Sequence, residues 1–468
     1  MKEYRDVYHF LNRVCTQYAD KTAFTYLRDR QLVDVTYSEF YYHVRQVAQY
    51  LSDILGDEKR IAIIAENSYE WLVYYFGTML LGKSAVLMDP ETNGEEAAKR
   101  LALFNIRYVY VGEGSGEYGD VRKITMELPD GPALDLEGLD QLNREKTEAA
   151  IRFSTGTTGD YKVIYLGQRS IVCGYDPYCM TGLSSMFVPL PFYHVMAESL
   201  MMTSLNFGNR FYIGSGNKYV LKDLQTFEPE MMCVTPMHLN MFVQRMERRT
   251  ADPDIVSKIF GKNLKRIGTG AASPTKSVLA ALEAKGISMY SGYGASETAL
   301  IASGKIGDED TCLGYPANFV EIGFENGEIL VKTPALFLGY HEGEDVSDDW
   351  YHTGDLGYLD EEGRLFLTGR KKNLIILSNG KNVSPEHLEA ELLTIPHVAE
   401  AIVYGADDSI CAEIYAGEPN EEIQQQIRNC IREQNMAKPT YYQIQKIIFR
   451  EEPFPRVGVG KIRRNQHG

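Results

Sequence analysis

The chain has 468 residues, 44% of them hydrophobic and 24% charged, which is the make-up of a soluble globular protein with room for about three domains or large subdomains. A formal net charge of −16 repels phosphate backbones and anionic headgroups, so nucleic-acid and membrane-surface binding are disfavoured. The amino-terminal stretch lacks the apolar core of a secretory signal, and no run approaches the roughly 20 apolar residues that span a bilayer. Seven scattered cysteines without a C-x-x-C pattern point to reduced thiols in a cytoplasmic protein.

Along the chain, residues 60–65 form a short apolar run that reads as a strand. Residues 68–81 read as a helix, 84–88 as a strand, 94–104 as a helix and 107–111 as a strand. Strands alternating with helices predict an α/β fold with a largely parallel sheet. The pattern continues with strands at 211–214, 231–235 and 264–268. Gly114-Ser115-Gly116-Glu117-Tyr118-Gly119 fits the dinucleotide fingerprint G-x-G-x-x-G, but 121–126 reads as a strand where that site needs a helix, so a surface turn is the better reading. Beyond about residue 310 the texture becomes β-rich, with short strands at 319–323, 328–333, 357–359 and 365–369 separated by Gly-containing turns. The basic stretch 370–382 reads as a boundary. A helix at 384–393 follows, with Ser384 at its N-cap and Pro385 at its first position, and another helix covers 421–433.

The sharpest local feature is the loop Phe153-Ser154-Thr155-Gly156-Thr157-Thr158-Gly159-Asp160-Tyr161-Lys162. Glycines let backbone N–H groups converge on one point and the hydroxyls add donors, which suits phosphate oxygens as well as it suits an ordinary polar turn. The loop is not the Walker type, because Lys162 lacks the Gly before it and the Ser/Thr after it. Further stretches follow in order: Pro189-Leu190-Pro191-Phe192-Tyr193-His194, Gly292-Tyr293-Gly294-Ala295-Ser296-Glu297-Thr298, Tyr351-His352-Thr353-Gly354-Asp355-Leu356-Gly357, Gly369-Arg370-Lys371-Lys372, and Pro455-Arg456 with Gly460-Lys461-Ile462. Together they resemble, in order and along nearly the whole chain, the motifs of the adenylate-forming superfamily of acyl-CoA synthetases, adenylation domains and luciferase. The texture is closest to bacterial long-chain acyl-CoA synthetase-like enzymes. Relatives usually carry Pro and Gly around the loop lysine, where this chain has Tyr161 and Val163.

The resemblance implies ATP-dependent activation of a carboxylic acid as an acyl-adenylate, with Mg²⁺, followed by transfer to a thiol. Ser154, Thr155, Gly156, Thr157, Thr158, Gly159 and Lys162 would cradle phosphates. Tyr293 and Gly294 would face the adenine, and Ser296 the α-phosphate. Glu297 would ligate Mg²⁺, a hard ion that often takes one carboxylate plus phosphates and water; the plain alternative is a carboxylate at a helix start. Asp355 would accept the ribose hydroxyls, and Arg370 would contact ribose or phosphate. Lys372 would be the hinge about which the small domain turns between adenylation and thiolation poses. Lys461 would be the principal catalytic cation, otherwise a solvated lysine in a basic tail. His194 would cover the acyl carboxylate, or else be a core histidine.

Two anions meet in adenylation, so positioning and positive charge should dominate over a strong base. The segment 192–197 offers no acid for an α-ammonium, and the stretches 193–196, 235–237 and 268–272 are small, apolar or Met-rich, so a fatty or aryl acid is favoured. The acceptor is CoA or the phosphopantetheine of a separate acyl carrier protein. The architecture expected is a large α/β domain, residues 1–370, with layered subdomains and a β-rich subdomain, plus a small mobile α+β domain, residues 371–468. An adenylating enzyme with a non-thiol acceptor and a non-catalytic acyl- or nucleotide-binding protein are the rival readings.

Overall fold

The structure, a computed structural model, describes residues 4–462 apart from 113–115, 126, 143, 156–160, 176–178, 248–253, 271–275, 308–310, 342, 344–345, 347–349, 379–380, 407, 418–419 and 458–460. Two large sheets organise its first 370 residues. In the seven-stranded one, Arg60–Ile64 lies between Ser84–Met88 and Tyr108–Val111, parallel to both. The helices between these strands form for local reasons. Ser68 caps Tyr69–Leu80 by accepting the Trp71 N–H at 3.0 Å, and Asn93 caps Gly94–Leu103 through the Glu96 N–H at 2.9 Å; each cap satisfies a donor the helix would leave orphaned. Apart from Glu70 in its first turn, Tyr69–Leu80 is buried along its whole length, as a mostly apolar helix must be. The Gly/Thr loop joins Glu148–Thr155 to Tyr161–Gly167. These strands pair antiparallel with Ser154 opposite Lys162 and Thr155 opposite Tyr161; residues 156–160 lie outside the described residues.

The second sheet runs, among the described residues, to thirteen strands. Its parallel part includes Arg210–Ile213, Ser185–Phe187, Met231–Val234, Arg266–Gly270 and Ser288–Ala295. The strand expected at 264–268 is Arg266–Gly270, beginning two residues later, where the pairing with Met231–Val234 starts. After Ser288–Ala295 the sheet turns antiparallel through Ala299–Lys305, Cys312–Pro316, Leu365–Arg370, Tyr351–Leu359, Glu328–Lys332 and Glu321–Glu325. The β-rich stretch is therefore a continuation of the large sheet. The piece expected at 357–359 is nine residues long, Tyr351–Leu359, since Glu328–Lys332 pairs with its polar front half and Leu365–Arg370 with the rest. Arg122–Ile124 is a strand, in keeping with a turn rather than a dinucleotide site before it; Gly114 and Ser115 lie outside the described residues.

Residues beyond the Lys371–Asn373 turn build their own core from Ile375, Val383, Leu388, Leu392, Val403, Ile410, Ile414, Ile427 and Ile431. A three-stranded sheet, Glu400–Ala406, Ser409–Tyr415 and Ile444–Arg450, packs with the helices Pro385–Leu392 and Glu421–Met436. Ser384 occupies the N-cap position but donates its hydroxyl to Glu386 at 2.8 Å instead of capping. The helix start comes so close to the large sheet that a Cβ on Gly369 would sit 2.3 Å from the Ser384 Oγ. All seven cysteines are free. No helix among the described residues is long and apolar enough to cross a membrane.

Candidate active site

The strand Ser288–Ala295 ends in a tight turn, 296–298, that returns as Ala299–Lys305. Glu297 thus sits in a strand-to-strand turn, which removes the helix-start alternative for it. The turn is held by the Thr298 hydroxyl, which accepts the Ala295 N–H at 3.3 Å. Gly294 is obligatory: a Cβ there would lie 2.0 Å from the Ala299 carbonyl oxygen, inside any permissible contact. Beside this turn, Tyr351–Leu359 presents Asp355, 5% exposed, and Leu365–Arg370 ends on Arg370 directly opposite it in register. Arg370 Nε is 2.6 Å from Asp355 Oδ1. The Tyr293 hydroxyl donates to Oδ2 at 2.7 Å. Burial, and then the Asp355 carboxylate, push the Tyr293 hydroxyl far above its usual range, so it stays a donor.

Tyr340 links this cluster to the phosphate loop. Its hydroxyl donates to Glu297 Oε1 at 2.9 Å and lies 3.5 Å from the Tyr351 hydroxyl. The Lys162 ammonium stands over its ring, 4.8 Å from the centroid, a cation–π contact. Sequence reasoning missed Tyr340. It lies on a two-residue strand, Gly339–Tyr340, whose pairing with Tyr161–Gly167 leaves no periodic signal. Glu297, Lys162, Tyr293, Asp355 and Arg370, expected from separate motifs, are brought together between the two sheets.

The side on which the resemblance places the acyl group is built differently. His194 stands at the N-cap position of Val195–Asn206, its ring 4.5 Å from that of Tyr193. Burial, reinforced by the Arg152 guanidinium and opposed by Asp89, pulls the His194 imidazole down to about 4. It is therefore neutral at neutral pH and offers no charge to a carboxylate. Arg152, on the strand that leads into the phosphate loop, forms a buried pair with Glu198 at 2.6 Å, and the Tyr75 hydroxyl donates to the same carboxylate. Met196 lies against strand Arg266–Gly270, where a Cβ on Gly270 would meet its sulfur at 2.7 Å.

Ser296 sits in the Glu297 turn and Ser154 at the head of the loop hairpin. Lys372 lies in the Lys371–Asn373 turn. The backbone of Lys461 is in the strand Lys461–Ile462. Its side chain, that of Thr155, and Gly156, Thr157, Thr158 and Gly159 fall outside the described residues.

The donor set fits a nucleotide with magnesium. Asp355 is a carboxylate acceptor fixed by Arg370 and Tyr293, a match for ribose hydroxyls next to a base. No group of three or more His, Cys, Asp or Glu side chains gathers among the described residues. Glu297 is thus a lone carboxylate, which suits a metal taking most of its ligands from phosphate and water rather than from a protein cage.

The family model of AMP-binding enzymes matches residues 11–341, and that of the AMP-binding enzyme C-terminal domain matches 372–467. The chain is similar to the 2-succinylbenzoate–CoA ligase of Bacillus cereus, 26% identical with 92% of each chain covered. It is also similar to the long-chain-fatty-acid–CoA ligase FadD15 of Mycobacterium bovis, 26% identical over 82% of this chain and 78% of that one. Among solved structures, the O-succinylbenzoate coenzyme A synthetase of Bacillus subtilis in complex with AMP superposes with a TM-score of 0.78 at 22% identity, covering 98% of this chain and 97% of the other. That enzyme has also been solved with ATP and a magnesium ion, TM-score 0.76 at 22% identity, with 98% of each chain covered. With matches over both of its parts, the chain belongs to the AMP-binding enzyme family.

Proposed function

We propose that the protein is an AMP-forming acid–thiol ligase. It activates a carboxylic acid with ATP and Mg²⁺, releases pyrophosphate, and passes the acyl group to the thiol of CoA. The observation that carries this reading is the convergence of Tyr293, Asp355 and Arg370 on one point, with Glu297 and Lys162 joined beside it through Tyr340.

In the first step a substrate carboxylate oxygen attacks the α-phosphorus and the bond to pyrophosphate breaks. In the second, the thiol sulfur attacks the acyl carbon, the bond to AMP breaks, and the thiol proton leaves to solvent. Asp355 accepts the ribose hydroxyls in place of part of its present pairing, and Arg370 keeps that carboxylate aimed. Tyr293 packs against the base. Lys162 and the loop residues Ser154 to Gly159 hold the phosphates, with Ser296 at the α-phosphate. Glu297 is the residue that would hold Mg²⁺, which supplies charge neutralisation at the phosphates. Lys461 supplies the cation between carboxylate and α-phosphate. Neutral His194 covers the carboxylate, excluding water and donating or accepting a hydrogen bond.

Within this reading, residues 1–370 are the nucleotide-binding domain and 371–468 a small domain that turns about Lys372. The acid is a fatty or aryl one. Glu198, the first acid after the 192–197 segment, is already committed to Arg152 and Tyr75, and Met196 over Gly270 makes an apolar, deformable wall. A separate carrier protein is the alternative acceptor. The test is pyrophosphate release across fatty, aryl and amino acids, each with and without CoA. Turnover with one acid only when CoA is present supports the reading. A single equivalent released per enzyme with CoA present favours a carrier protein. Absence of release with every acid refutes the reading.

A further inference from the structure

Glu328 opens the strand Glu328–Lys332 and is 3% exposed. A carboxylate so buried is costly unless its oxygens are bonded, and both are. Oε1 accepts the Gly354 N–H at 3.0 Å. Oε2 accepts the Lys371 ammonium at 2.7 Å and lies 3.2 Å from His352 Nδ1. Burial disfavours its charged form, but the bonds from Lys371, His352 and Gly354 outweigh that and hold it below the usual carboxylate range. The strand register slips between Glu328 and Leu330, and this irregularity is where the carboxylate reaches the Gly354 turn.

The partners belong to two stretches with distinct tasks. Gly354, at φ +72°, makes the turn that presents Asp355. Lys371 directly follows Arg370 and opens the Lys371–Asn373 turn, beyond which the small domain has its own core. The two ends of the contact differ. Glu328 is fixed by a backbone donor inside the sheet, whereas the Lys371 side chain is 60% exposed and can return to water at little cost.

We propose that Glu328 is a positioning residue that fastens the Asp355 turn to the inter-domain hinge, with Lys371 as the releasable half of the clasp. This rests on reading 371–373 as the hinge between an adenylating and a thiol-transferring pose. When the small domain turns, Lys371 leaves Glu328 while the Gly354 bond stays. One carboxylate therefore keeps the ribose acceptor in place in both poses and favours the present one.

The experiment measures two half-reactions on the full chain: acid-dependent ATP–pyrophosphate exchange, and transfer from supplied acyl-adenylate to CoA. In Lys371→Met the ratio of transfer to exchange should shift about two- to fivefold, the value of a half-exposed ion pair, with the KM for ATP unchanged. Lys371→Arg should restore the ratio. Glu328→Ala, which also frees Gly354, should raise the KM for ATP about tenfold. Cleavage by chymotrypsin after Leu374 or Leu377 should speed up in Lys371→Met. An unchanged ratio in a folded Lys371→Met protein, or failure of Lys371→Arg to restore it, would overturn the clasp. If the wild type makes adenylate but transfers to no CoA, it is CoA as the acceptor that fails, and the transfer ratio has no readout. Chymotrypsin cleavage then decides, and an unchanged rate in Lys371→Met overturns the clasp.

Discussion

In the proposed reading, the ribose end and the acyl end of the site solve opposite problems. At the ribose end, Asp355, Arg370 and Tyr293 are cross-linked by short, charge-assisted bonds, Asp355 and Arg370 from adjacent strands and Tyr293 from further along the same sheet. At the acyl end the nearest groups are neutral: a histidine held uncharged, a tyrosine, and a methionine over a bare glycine strand. The acyl end also has an ion pair, Arg152–Glu198, but it is buried behind the site and spends its charge internally. Charge is presented where a polar ligand must be recognised atom by atom, and hidden where an apolar acid must be accepted by shape.

Breaking the hidden pair should have the largest effect. Arg152→Met leaves Glu198 buried and uncompensated and should cost about 3–5 kcal/mol in denaturant unfolding, while Arg152→Met/Glu198→Leu recovers most of it. If the single variant loses under about 1 kcal/mol, the pair is not a structural tie. Breaking the presented pair should act on catalysis instead: Asp355→Ala should lower kcat/KM for ATP in pyrophosphate exchange about 10²- to 10³-fold, with the melting temperature little changed. Activity within about threefold of wild type would remove Asp355 from ribose recognition.

Smaller effects sharpen the contrast at the acyl end. His194 is pulled down to about 4 in the fold, against about 6.5 unfolded. The unfolded chain therefore binds the extra proton between these values, and stability falls as pH drops from about 6.5 towards 4, by about 3 kcal/mol. His194→Asn should flatten that part of the stability–pH curve; an unchanged slope would mean that the imidazole is not held neutral. The smallest effect concerns the wall. Met196→Ala should improve kcat/KM for bulkier acids about fivefold relative to small ones, and Gly270→Ala should shift the preference the other way. Equal changes for all acids would show that Met196 does not line the acyl pocket.

The nucleotide end was legible in the sequence through the resemblance of short stretches to a family's motifs, which single out a carboxylate after Thr-Gly, a carboxylate after a glycine-rich strand end and a cation after Gly. Those stretches named Glu297, Asp355 and Arg370, and the alternation of short strands and helices gave the α/β architecture. Spacing could not say that Gly294 faces the Ala299 carbonyl, that Glu297 sits in a turn between strands, or that Ser384 spends its hydroxyl on Glu386. Tyr340, Arg152 and Glu328 carried no local signal at all. Each acquires its role from partners far along the chain: Tyr340 from Glu297, Arg152 from Glu198, and Glu328 from Lys371. Local chemistry writes the groups that meet a ligand into contiguous sequence. The groups that hold those in place depend on which strands become neighbours, and only tertiary packing decides that.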